Sequence, residues 1–362
     1  MPRRSAGAAL GAVERRRRAA WTITLLAVAL FASLVGALCA GAVVVSPGAV
    51  VQVVLRELFG VPTAAGTLES AIVWSIRMPR ALLGACVGAG LAVGGLAMQA
   101  MVRNTLADPY LLGINSGASA GAAAVILFGA GVGLGAYALP GSAFAGALAA
   151  SVLVFLIARS GGRVASPHLL LSGITVGYLL SAVTSFLVFA SGSAEGARSV
   201  MFWLLGSLSL ASWDGLLLLA AVAVTVTVVV CTVSGRRLDA LAIGDETATT
   251  LGVSPHRFRL LMLVVLSLCV GVLVSAAGSI GFIGLVVPHL ARRLVGAPHA
   301  AAAPAAALIG AILLIWSDVL ARVVLAPQEM PIGIVTAAIG APFLIVLIRR
   351  VRGEGWDWKR RR

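Results

Sequence analysis

The sequence predicts an all-α, polytopic membrane protein with about ten transmembrane helices. Three observations lead there. Sixty per cent of the 362 residues are apolar and 11% are charged, with a mean hydropathy of +1.05, which leaves too little polar surface to cover a globule in water. The apolar residues fall in runs of about 20, the length at which a helix crosses a hydrocarbon core about 30 Å thick. The arginines cluster between those runs, as they do in cytoplasmic loops. For that reason the net charge of +14 reads as membrane topology and not as a nucleic-acid surface.

Residues 1–20 form a basic cytoplasmic tail with Arg3, Arg4 and the run Arg15–Arg18. The apolar stretch Trp21–Val45 is longer than the roughly 7–15 residues of a signal-peptide core, so it is a first span with its N-terminus inside. Pro47–Glu69 carries little charge and holds an amphipathic piece, Val50–Phe59, which marks an outside loop. Ala81–Val102 returns inward. Its Gly84, Gly88, Gly90, Gly94 and Gly95 would weaken a helix in water, but in lipid they let neighbouring helices approach closely. Arg103, Asn104 and Asp108 then mark a polar excursion, followed by a short span over Gly113–Gly129 and a glycine-rich turn over Gly131–Pro140.

Gly141–Ala158 ends at Arg159 and Arg163, and Leu169–Ala190 goes out again. Ser191–Trp213 holds Glu195, Arg198, Trp203 and Trp213 and reads as an interfacial helix with tryptophans at headgroup level. Leu216–Val233, Leu260–Ala277, a short Ile280–Leu290, Ala305–Leu325 and Ile332–Ile348 complete the spans. The membrane domain is thus 21–348, and 349–362 is a second basic cytoplasmic tail. Cys39, Cys86, Cys231 and Cys269 all lie inside apolar runs without a C-x-x-C spacing, as small core residues do.

The only lysine, Lys359, is in the C-terminal tail, so no G-x-x-x-x-G-K-[ST] phosphate loop exists and the chain does not itself hydrolyse ATP. His168, His256, His289 and His299 are scattered, without a metal-ligand spacing, and neither metal nor cofactor is expected. Asp318 alone among carboxylates sits well inside an apolar run, with Arg322 four residues on. Three readings stand for it: a locally neutralised ion pair, the ionisable group of an ion-coupled carrier, or a part in docking a partner outside.

Gly235–Arg259 is the long loop within the membrane domain. Two short helical pieces, Leu238–Ile243 and Glu246–Leu251, are separated by Gly244 and stopped by Gly252 and Pro255, with Asp245 as N-cap of the second. A bare connector needs roughly 2–8 residues, so the loop at 235–259 is expected to be a compact cytoplasmic knob.

Several motifs in order carry a resemblance. R-M-P-R at Arg77–Arg80 is followed by G-A-G-L-A-V-G-G-L-A-M-Q at Gly88–Gln99 and R-N-T-L-A-D-P-Y-L-L-G-I-N-S-G-A at Arg103–Ala118. The knob motif spans Ile243–Val253, G-S-I-G-F-I-G-L-V-V-P-H-L-A-R spans Gly278–Arg292, L-x-x-x-D-x-x-A-R spans Leu314–Arg322, and a last block runs from Glu329 to Phe343. Together they resemble the FecCD-type permeases, the membrane subunits of type II ABC importers for iron–siderophore complexes, haem and cobalamin.

That resemblance implies a permease in the cytoplasmic (inner) membrane, taking a ferric siderophore or related large metal chelate, with cobalamin or haem as alternatives. It implies that the knob enters a cleft of an ATP-binding cassette ATPase through Leu241, Ile243, Gly244, Asp245, Glu246, Ala248, Leu251 and Gly252. Arg77, Arg80 and Arg322, expected to be exposed on the outer face, would receive acidic residues of a periplasmic or lipid-anchored substrate-binding protein. Asn104 and Leu106 would narrow the path on the cytoplasmic side, with Thr105 standing where the family usually has proline. A second permease copy or a paralogue would complete the path. The rivals are a secondary, ion-coupled transporter resting on Asp318 and a non-transporting membrane scaffold or sensor.

Overall fold

The computed structural model describes residues 3–41, 43–61, 66–160, 163–164 and 166–360. The outermost residues of both basic tails, 1–2 and 361–362, lie outside the described residues. The chain starts with α1 (Arg3–Cys39) and α2 (Pro47–Phe59). α3 (Thr67–Ser70) then runs through a π-helical turn, Ala71–Arg77, directly into α4 (Met78–Val102). The second span therefore covers Thr67–Val102, 36 residues, and begins well before the expected Ala81. Proline inside a helix lacks an N–H and crowds the preceding turn; here the turn before Pro79 is widened, with the Met78 N–H bonded to the Val73 carbonyl five residues back.

α5 (Ile114–Phe128) and α6 (Ala138–Ala158) follow, then a two-residue antiparallel pairing of β1 (Arg159–Ser160) with β2 (Arg163–Val164). α7 (Ser166–Ser191), α8 (Ala194–Leu204) and α9 (Gly215–Val233) come next. The interfacial helix thus stops at Leu204 and does not reach Trp213. Beyond it the backbone is captured elsewhere: Ser207 N–H donates to the Ala277 carbonyl at 2.9 Å, and Ile332 N–H to that of Gly206 at 3.2 Å. Trp213 is also tied inward, its Nε1 donating to the Trp74 carbonyl at 2.7 Å with the two ring centroids 4.9 Å apart.

The second half holds α10 (Gly235–Ile243), α11 (Asp245–Thr250), α12 (Pro255–Ala277), α13 (Ile283–Val295), α14 (His299–Val323) and α15 (Ile332–Arg360). Among the described residues, seven helices are long and apolar enough to cross a membrane. The shorter apolar helices Ile114–Phe128 and Ile332–Leu347, with the 13-residue α13, bring the bundle to about ten, as the hydropathy pattern predicts.

α4 is the hub. The apolar core of the Thr67–Val102 helix is 83% buried, against 67% for α12, 56% for α14 and 17% for α1 and α7. It packs most extensively on α14, and also on α9, α12 and α13. Small residues make this possible: a Cβ on Gly95 would fall 1.8 Å from the Gly284 carbonyl oxygen, so α4 and α13 meet backbone to backbone. At 25 residues, α4 is about 37 Å long, which sets Arg80 and Met101 at opposite ends of the bundle.

Candidate functional site

At the Arg80 end, the three arginines singled out from sequence come together, but they are not exposed. Arg77 and Arg80 are each 6% exposed, and the Arg322 side chain 10%. The expected exposure is corrected, because other groups of the chain take their donors. Arg80 Nε donates to Asp318 Oδ1 at 2.8 Å, and its Nη1 to both oxygens of Glu329 at 3.0 Å. Arg322 Nε reaches Asp318 Oδ2 at 3.0 Å, the expected pair four residues apart on one helix face. The rest of the set caps α1. Arg77 donates to the carbonyls of Leu38 at 2.7 Å, Cys39 at 3.2 Å and also Val43, and Arg322 Nη1 to that of Ala40 at 3.2 Å. Carbonyls at a helix C-terminus lack intrahelical partners and carry partial negative charge, so guanidinium groups suit them.

Asp318 therefore has a guanidinium N–H on each oxygen, so its charge is neutralised locally from two helices. What remains is a cavity of about 180 Å³ lined by Arg77, Arg80, Arg322 and Glu329 together with Val43, Ile72, Ile76 and Pro327. Three arginines against Asp318 and Glu329 leave one positive charge in excess around it.

At the other end of α4, the loop 235–259 is the folded knob its sequence predicts. Gly244 breaks it at φ 155° and Gly252 stops α11 at φ 78°, backbone regions that favour glycine. Leu241 and Ala248 are fully buried and form its interior, so they support the knob from within. Ile243 is 70% and Leu251 65% exposed, and Glu246 and Gly252 also face outward. Asp245 is not the N-cap; Gly244 holds that position. The Asp245 carboxylate instead accepts two hydrogen bonds from Arg259, at 2.6 and 2.8 Å, and these hold its pKa below the ordinary carboxylate value. The other helix of the knob is rooted on α14, where Asp239 Oδ1 accepts from the His299 N–H at 3.0 Å and from its Nδ1 at 2.6 Å.

The turn that follows α4 lies beside the knob. Arg103 is left-handed at φ 51°, Asn104 Oδ1 accepts the Leu106 N–H at 2.9 Å, and Leu106 is 47% exposed. His289 Nε2 donates to the Thr105 carbonyl at 2.9 Å, and Gln99, itself bonded by Arg292, donates to the Ala107 carbonyl at 3.3 Å. The turn at Thr105 is thus held by side chains from α4 and α13 and does not depend on a proline ring. A cavity of about 450 Å³ separates it from the knob, lined by Gln99, Arg103, Thr105, Asp239, Ile243 and His299 among others.

A third feature was not legible in sequence. A cavity of about 500 Å³ lies along α7, with Gly173, Ile174, Gly177, Tyr178 and Ser181 on one wall and Tyr110, Phe282 and Leu285 among the residues opposite. The same helix exposes Tyr178, Phe186 and Phe189 at 76%, 65% and 85%. α7 is apolar all round in sequence, so periodicity gives no clue to which face lines a cavity.

Comparison with known proteins places this architecture. The chain is 43% identical over 291 residues to the cobalamin import system permease protein BtuC of Halobacterium salinarum, covering 80% of this chain and 76% of that one. It is 40% identical over 294 residues to the Fe(3+)-citrate import system permease protein YfmD of Bacillus subtilis, with 79% and 84% covered. To the hemin transport system permease protein HmuU of Yersinia pestis it is 42% identical over 286 residues, with 78% and 84% covered. Among solved structures, a transporter described as of the metal-chelate ABC type in an inward-facing conformation superposes with a TM-score of 0.78. It has 32% identity and covers 91% of this chain and 98% of that one. The FecCD transport family model matches residues 25–350, which takes in the hub helix, the knob and the arginine cavity, and the chain belongs to that family.

Proposed function

We propose that this chain is the membrane-spanning permease subunit of an ATP-driven importer, carrying a ferric siderophore or related large metal chelate across the cytoplasmic membrane. The observation that carries the reading is the family match over residues 25–350 joined to a folded knob set beside the turn at Asn104 and Leu106. Both termini would be cytoplasmic, with the knob and the gate turn on that side and the arginine cavity outside. ATPase subunits would receive the knob at Ile243, Glu246 and Leu251. An acidic group of a substrate-binding protein would enter the arginine cavity, drawn by its excess positive charge. A second copy or a paralogue would face α7, whose exposed apolar face and cavity form one wall of a path with few charges. Cobalamin and haem are the alternative cargoes.

Asp318 is paired with both Arg80 and Arg322, which favours the local ion pair over the ion-coupled rival. The test is uptake into proteoliposomes holding the permease with its cognate ATPase and binding protein, offered labelled ferric citrate, haemin and cobalamin in turn. Uptake that requires ATP and is lost in a Glu246→Arg, Leu251→Asp variant supports the importer and names a cargo. ATP-independent uptake of any of the three sinks it.

A further inference from the structure

Among the described residues, the most deeply buried charged group lies outside both the arginine cavity and the gate. Arg259, in the first turns of α12, is 1% exposed. Among the described contacts its guanidinium touches three other elements at once. Nη1 and Nη2 hold the two oxygens of Asp245 in the knob at 2.8 and 2.6 Å. Nη2 also donates to Ser166 Oγ at 2.9 Å, on the first residue of α7. Nε donates to the Met101 carbonyl at 3.2 Å, in the last turn of α4, and Ser166 Oγ closes the ring by donating to that same carbonyl at 2.9 Å.

These contacts join parts that must move together if the protein is to couple. Met101 lies three residues before Asn104, and α7 forms one wall of the cavity of about 500 Å³. Bidentate guanidinium–carboxylate pairs are directional and strong, and a buried charge that loses its partner is heavily penalised. A displacement of α11 therefore drags the guanidinium with it, or leaves that charge unsatisfied.

We propose that Arg259 is a positioning residue that transmits movement of the knob to the gate turn after α4 and to the N-terminus of α7. The proposal rests on the reading that the knob receives the ATPase. Most of the knob's outer face is separate from this link, because Ile243, Glu246 and Leu251 are exposed whereas the Arg259 guanidinium is buried. Asp245 is its inward anchor.

The test uses the complete reconstituted transporter with whichever of labelled ferric citrate, haemin or cobalamin the wild type accumulates. Cargo moved per ATP hydrolysed is measured for Asp245→Asn, Arg259→Lys and Ser166→Ala, beside Glu246→Arg, Leu251→Asp as a variant of the knob's outer face. For Asp245→Asn the expected result is an ATPase rate within about twofold of wild type and a transport ratio reduced at least tenfold. Ser166→Ala, which removes only one strand of the ring, should lie between. A ratio unchanged in Asp245→Asn and Arg259→Lys overturns the proposal. So does a parallel fall of both rates, which is what a merely structural tie gives. If the outer-face variant keeps full association with the ATPase and full transport, the reading of the knob fails instead, and the two failures are thereby separate. Asp245→Asn keeps side-chain volume at a position 40% exposed, so the test does not depend on whether an Arg259 variant folds.

Discussion

Gly88 of α4 and Gly310 of α14 lie against each other backbone to backbone. A Cβ on Gly88 would fall 2.1 Å from the Gly310 carbonyl oxygen, and one on Gly310 would fall 2.2 Å from that of Gly88. No rotamer change relieves a clash with backbone, so the two helices must separate. Overpacking of this kind typically costs about 1–3 kcal/mol, and Gly88→Ala or Gly310→Ala should lower the melting temperature in detergent by several degrees. Gly84 shares the G-x-x-x-G spacing, yet a Cβ there meets only the end of the Leu208 side chain at 3.1 Å, which can move. Gly84→Ala should be near neutral, and equal losses at Gly84 and Gly88 would contradict this packing.

The Asp318 cluster predicts two unequal losses. Removing the charge of Asp318 leaves Arg80 and Arg322 facing each other in a buried site, and breaking a buried pair from one side costs about 3–5 kcal/mol. Glu329 is 46% exposed, so solvent screens its pair with Arg80, and Glu329→Gln should cost no more than about 1 kcal/mol. Thermal unfolding of Asp318→Asn and Glu329→Gln, side by side, checks the order; a milder effect for Asp318→Asn would refute it.

Much of this architecture is written in the sequence because membrane spans are set by length and apolarity alone. The knob is legible for a local reason: Gly244 and Gly252 are breakers whatever surrounds them. Where reading failed, the cause lay in partners distant along the chain. Arg77 and Arg80 are expected to be exposed because the resemblance puts them on a docking face, whereas their partners lie 34–39 residues upstream, at the end of α1 and just beyond it, and 238–249 residues downstream at Asp318 and Glu329. Asp245 read as an N-cap because its local context suits one, but Arg259, 14 residues on, captures the carboxylate. The early start of the second span was hidden by Pro79, which signals a boundary unless a π turn precedes it.

Glu329 also sits where a docking carboxylate would sit, since both its oxygens contact Arg80 at 3.0 Å on the cavity wall. Neutralising it frees guanidinium donors and raises the excess positive charge of the cavity. Glu329→Gln should therefore tighten binding of the cognate substrate-binding protein about fivefold, which corresponds to about 1 kcal/mol. Surface plasmon resonance on the permease in nanodiscs reads this directly. Weaker binding in Glu329→Gln would show that Glu329 helps the partner and does not compete with it.

The Asp245–Arg259 pair gives a pH dependence with a defined sign. The carboxyl of Asp245 is held below its ordinary value, first by hydrogen bonds from Arg259 and further by the charges of Arg259 and Arg103. A group with a lowered folded-state pKa binds fewer protons in the folded than in the unfolded chain, so its stabilisation is complete above the ordinary carboxylate value and is lost as pH falls through the lowered one. The difference in melting temperature between wild type and Asp245→Asn should thus be constant from pH 8 down to about 5 and shrink only below the ordinary range near about 4. Coupled transport limited by this link should be equally indifferent to pH across the upper window. A difference that already disappears between pH 7 and 5 would mean that a histidine, and not Asp245, governs the tie.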